Sequence, residues 1–200
     1  MKQWLLALVL TSTAGSALAD PLTDAIAADG GTACFTRSYD AAWLKAHPGQ
    51  TVREVRMAFT LDREDQSWTA FRMKISGSGK PLYLFGGCGW ESHVNRGVQD
   101  NILDPTFKPE SGVGCHMMTD VTGVSAEEGG DFPVDWQSDR VIQAHLPDLV
   151  AAWRSYDVSR HAKFIDVGRP DRIVRLNRAL PSQCAELVAK FAPGQPDYTK

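Results

Sequence analysis

The sequence predicts a mainly β domain, an antiparallel barrel or sandwich with short helical segments, linked by disulfides. Three observations point there. Short runs of alternating apolar and polar residues recur along the chain, separated by turns rich in Gly and Pro. Two glycine-framed segments, Leu82–Trp90 (LYLFGGCGW) and Ser111–Asp120 (SGVGCHMMTD), each read as a strand with a cysteine in or beside it. Four cysteines, Cys34, Cys88, Cys115 and Cys184, follow an N-terminus that reads as an export signal.

Residues 1–19 read as a signal peptide. Lys2 supplies a small positive region, Trp4–Leu10 an apolar run, and Ala17-Leu18-Ala19 a cleavage site ahead of Asp20. The apolar run is shorter than the roughly 20 residues that span a bilayer. No cysteine follows the site, so it does not read as a lipoprotein signal. The expectation is a periplasmic or secreted chain in which residues 20–200 form a single β-rich domain. Removing residues 1–19 leaves 24 acidic against 20 basic residues. That mildly acidic balance argues against general nucleic-acid binding, which relies on clustered Lys and Arg. No later segment is long and apolar enough to be read as a transmembrane helix, so none is expected in the mature chain.

Residues 20–32 are small and polar and read as a loose lead-in. Asp40 can cap a short helix over Ala41–Ala46, and Pro48-Gly49 stops it. In Val52–Leu61, Val55, Met57, Phe59 and Leu61 alternate with polar or small residues, the period of a half-buried strand. Trp68–Ile75 alternates again, and the two read as an antiparallel hairpin whose Val55, Met57, Phe59, Phe71, Met73 and Ile75 line one inner face. Leu82–Cys88 is apolar on both faces, which predicts burial on both sides.

Residues 90–110 show no regular pattern, and Gly112–Thr119 returns to strand. In Asp131–Trp136 the residues Phe132, Val134 and Trp136 are in phase, while Pro133 marks an edge strand. Arg140–Leu146 reads as strand. Residues 147–156 fit either a helix opened by Pro147 or a hairpin into Val150–Ser155, and the neighbouring strands favour the hairpin. Arg172–Leu176 is a last strand. Pro181–Phe191 reads as a short helical turn carrying Cys184, before a Pro/Gly tail.

The pattern C-x-x-R-x-Y-D-x-x-x-L-x-x-H-P-x-Q-x-V, from Cys34 to Val52, together with Asp171–Leu176 (DRIVRL) before a final cysteine, resembles a group of exported bacterial proteins. The resemblance covers the two ends of the chain. It implies a shared β-rich domain and carries no activity and no site residues.

Four cysteines allow three pairings. Their wide spacing without C-x-x-C disfavours a thioredoxin-like centre or a zinc ribbon. The pairing expected is Cys34–Cys184 with Cys88–Cys115. The inner pair lies on two segments that read as strands, with glycines that allow close approach. The outer pair lies near the two ends of the domain, and such ends often meet. The alternative, Cys34–Cys88 with Cys115–Cys184, would suit two covalent halves.

No pair among His47, His93, His116, His145 and His161 has the spacing of a zinc peptidase. A Cys88–Cys115 bridge would bring His93 and His116 into one neighbourhood. Metal ligation there, with Glu91 or Asp120 as third ligand, is disfavoured because the spacing matches no standard site. There is no G-x-S-x-G elbow, and Gly77-Ser78-Gly79 reads as a hairpin loop. The glycines at 86–89 and 112–114 lack the features of a phosphate loop and fit bulges or close backbone approach. The acidic run Asp120, Glu127, Glu128, Asp131 and Asp135 does not fit an EF-hand and reads as a solvated turn. Of the tryptophans beyond the signal, most should be core. Trp90, between Gly89 and polar residues, reads as an exposed anchor.

The sequence thus favours a binding domain over an enzyme, with Trp90, Glu91, His93 and His116 as binding residues. No cofactor, catalytic residue or resident metal is assigned. The partner expected is an envelope component, another protein or a small ligand. The alternatives are a periplasmic hydrolase using His93 or His116 with nearby carboxylates, and a metal-binding module.

Overall fold

A computed structural model describes residues 20–61, 69–91, 112–119, 128–155 and 161–191. Residues 1–19, read from the sequence as a signal peptide, and residues 62–68 with Trp68, 92–111 with His93, 120–127 with Asp120 and Glu127, 156–160 and 192–200 lie outside the described residues.

Among the described residues the strands are β1 (Thr32–Ser38), β2 (Glu54–Leu61), β3 (Thr69–Ser76), β4 (Leu82–Glu91), β5 (Gly112–Met118), β6 (Glu128–Ser138), β7 (Val141–His145), β8 (Leu149–Ala152), β9 (Lys163–Asp166) and β10 (Ile173–Ala179). Eight of them close into an antiparallel barrel in the order β1-β10-β7-β6-β5-β4-β3-β2, and β8 and β9 form a separate two-stranded sheet. The fold is therefore a mainly β, disulfide-linked barrel. Its bridges are Cys34–Cys184 and Cys88–Cys115, with Cα atoms 5.8 Å and 4.1 Å apart.

Period-two alternation fills the barrel. Val55, Met57 and Phe59 on β2 meet Phe71, Met73 and Ile75 on β3 across the ladder, all inside and fully or nearly fully buried. Aromatic rings continue this core. Phe71 meets Phe132 edge-on at 5.3 Å, and Phe35 meets Trp136 at 5.4 Å. An eight-stranded barrel is just wide enough for side chains to fill it. Charged and polar residues such as Arg56, Lys74, His116 and Arg175 alternate with these inner positions and lie on the outer face.

Leu82 and Leu84 of β4 join the inner core. Tyr83 and Phe85 are buried on the outer face, in a second cluster with Trp153. Two backbone hydrogen bonds between Tyr83 and Trp153, of 2.8 and 2.9 Å, dock the chain after β8 against β4. Burial on both faces of β4 thus has its cause in this second layer.

Several sequence expectations change. Residues 21–28 form a helix, α1 (Pro21–Ala28), in place of a loose lead-in. Asp20 caps it by accepting the Thr23 N–H at 2.8 Å, Pro21 occupies its first turn, and Leu22 and Ile26 bury one face against the core. Arg178 clamps α1 to β10 by donating to the Asp29 carboxylate and the Ala25 carbonyl. Helix α2 (Ala41–Ala46) forms where expected, capped by Asp40. Its Trp43 is 40% exposed, however, and stacks on His47 instead of entering the core.

β6 is no edge: it pairs with both β5 and β7. Its register with β7 starts at Val134, so Pro133, which has no N–H to give, lies beyond the last β7 partner. Residues 149–152 are strand, but β8 pairs with β9, whose existence the sequence reading missed, and makes no hairpin with β7. The segment carrying Cys184 is a 3-10 turn (Pro181–Cys184) leading into α3 (Ala185–Phe191).

Candidate functional site

The residues expected to bind a partner divide between two faces. β4 runs through Glu91, so the alternation that turns Cys88 inward also turns Trp90 inward. Trp90 is half-buried and packs edge-on against Trp136 at 6.3 Å. It belongs to the barrel mouth, not to an exposed polar loop. Glu91 and His116 share the outer face of the β4–β5 pair, where Glu91 pairs with Gly112 and His116 with Gly87. His93 lies outside the described residues.

On that face the Glu91 side chain folds over Gly114, occupying the space that a β-carbon at 114 would need. His116 stands directly opposite Asp131 on β6, and its Nδ1 meets Asp131 Oδ1 at 2.5 Å. The imidazole is thereby held in one orientation by a carboxylate, and about half of its side-chain surface is exposed. Such a pair can hydrogen-bond a ligand or move a proton. Asp131 was legible only as part of an acidic turn; its pairing with His116 depends on strand register. Among the described residues no three His, Cys, Asp or Glu side chains are grouped as metal ligands. His93 and Asp120 lie outside that set.

A second candidate lies where β3 ends and β4 begins. The turn Gly77–Lys80, Arg154 after β8 and residues 165–167 at the end of β9 line an open cleft of about 200 Å³. Val52, Ile75 and Leu82 contribute its apolar lining, and Ser78, Lys80, Arg154 and Asp166 its polar lining. The base is held firmly. The buried Asp171 carboxylate accepts the Thr51 N–H at 3.0 Å, the Thr51 hydroxyl at 2.8 Å and the Val52 N–H at 3.3 Å. On the other side Gly77 sits so close to the Thr51 carbonyl that a β-carbon could not fit.

A third cluster surrounds α2. Arg37 lies over the Tyr39 and Trp43 rings at 4.9 and 5.6 Å, and Trp43 Nε1 donates to Gln50 Oε1 at 2.7 Å. Burial pushes the Tyr39 phenol above its ordinary pKa, with the Arg37 cation pulling the other way. Both ring contacts of Trp43, with Tyr39 and with His47, are internal to the cluster, so it serves to hold α2 on the barrel. No protein family, no curated protein and no solved structure matches this chain.

Proposed function

We propose that the chain is an exported domain that acts by binding, its partner being an envelope component, another protein or a small ligand. Two disulfides suit an oxidising compartment. The barrel has an apolar, filled interior and charged outer positions, the opposite polarity to a membrane-spanning barrel with its apolar outward band. Binding therefore falls to the outer surface and the strand ends. The observation that carries this reading is the Glu91–His116–Asp131 arrangement. Strand pairing places its three residues, and the His116–Asp131 pair stands on a partly exposed strand face.

The hydrolase reading keeps one specific support, the carboxylate-oriented imidazole of His116. One experiment separates the two. The mature protein is immobilised and challenged with a periplasmic extract, and is assayed in parallel on chromogenic esters and phosphoesters. The expected result is stoichiometric retention of one component, lost in His116→Ala and Glu91→Gln, with no turnover above background. Turnover that disappears in His116→Ala would replace binding by hydrolysis.

A further inference from the structure

The cleft beside the Gly77–Lys80 turn is a separate site, and we propose that it binds a small anionic group, phosphate or a phosphate monoester. The inference starts from two cations. Lys80 and Arg154 both line the cleft, and among the described residues neither has a carboxylate within ion-pair distance. In a chain with an acidic surplus, two cations against the single carboxylate of Asp166 among the residues lining one concavity are a local reversal of charge.

Their placement is built and not accidental. Arg154 follows Trp153, whose backbone is fixed to Tyr83 by paired hydrogen bonds. Tyr83 in turn lies three residues after Lys80, so the bridge sets the two basic residues beside each other across 74 residues of sequence. Arg154 Nη1 lies 3.5 Å from the Lys80 carbonyl, so the guanidinium can reach the turn. A guanidinium and an ammonium lining one cleft can meet the several acceptor oxygens of a phosphate, and charge-assisted hydrogen bonds are the strong ones.

The turn supplies further donors. Ser78 lines the cleft and carries a hydroxyl, and the glycines Gly77 and Gly79 on either side let an oxyanion approach the backbone. The apolar floor of Val52, Ile75 and Leu82 gives room for a short organic body. Asp166 is the opposing charge. One of its carboxylate oxygens accepts the Gly168 N–H at 2.7 Å. It weakens the attraction for a bare anion and offers an acceptor to a hydroxyl on the ligand body.

The test is calorimetric titration of the mature protein with inorganic phosphate, glycerol 3-phosphate and glycerol. Both phosphate probes are expected to bind, more weakly as salt rises, and glycerol not at all. Tighter binding of the ester identifies a phosphate carried on an organic body, such as a headgroup; equal binding identifies the free ion. Lys80→Ala and Arg154→Ala should each weaken phosphate binding about tenfold, Lys80→Arg should retain it, and Asp166→Asn should tighten it. Arg175→Ala, an exposed cation on β10, is the control that keeps wild-type affinity. All of these positions are exposed, so the variants should fold. Absence of binding by both phosphate probes, or equal loss in Arg175→Ala, would overturn the proposal.

Discussion

The two disulfides act on the barrel in different ways. Cys88–Cys115 joins β4 and β5 at residues that already face each other in the ladder, over a sequence separation of 27, and its sulfurs lie in the inner core. Cys34–Cys184 spans 150 residues and lies on the outer side of β1, buried with Ala58 and Leu187. It ties β1 to the turn that follows β10. Those two strands form the seam that closes the barrel, and the seam is short. Its register runs from Cys34↔Ala179 to Thr36↔Asn177, whereas the next pair, β1 with β2, runs from Thr32↔Thr60 to Ser38↔Glu54. The inner bridge therefore reinforces pairing that the backbone already provides, and the outer bridge reinforces the closure that the backbone provides least.

The largest expected effect follows from that contrast. Replacing Cys34 and Cys184 together by Ala should cost more stability than replacing Cys88 and Cys115, about 5 against about 3.5 kcal/mol by the loop-entropy relation. Urea unfolding of the two double variants measures both. A reversed order would mean that the β1–β10 seam closes without help from the outer bridge.

A smaller effect probes the strands around the inner bridge. Gly86 lies against the His116 carbonyl and the Phe71 ring, so its missing β-carbon is what lets β4 and β5 approach beside Cys88. Gly86→Ala should cost about 2 kcal/mol or more, since a backbone atom must move. Gly114, on the same pair of strands, faces only the flexible end of Glu91. Gly114→Ala should cost less than about 1 kcal/mol, because the Glu91 side chain can swing aside. Equal costs in thermal unfolding would show that backbone contact does not set the spacing at the bridge.

How far the chain could be read in advance depends on the range of the interactions. Alternation in β2, β3 and β4 is local, and the inner faces follow from it directly. The helix cap at Asp40 is local too. The cap at Asp20 was equally present, with Pro21 behind it, but Leu22 and Ile26 are too few apolar residues to announce a buried face. Pro133 carries a true local signal for an edge. The register overrides it, because β6 pairs on both sides while its ladder with β7 begins only at Val134, one residue past Pro133. Trp90 changes sides because β4 extends two residues beyond Gly89, a strand end that glycine and a polar neighbour obscure. The His116–Asp131 pair, and the meeting of Lys80 with Arg154, are products of strand order. No spacing along the chain encodes them.

The most direct measurement is peptide mapping of the purified protein under non-reducing conditions. The closed barrel predicts one cross-linked product containing Cys34 and Cys184 and another containing Cys88 and Cys115. A product that joins Cys34 to Cys88 would contradict it, since Cys34 lies outside the barrel wall on β1 and Cys88 inside it on β4.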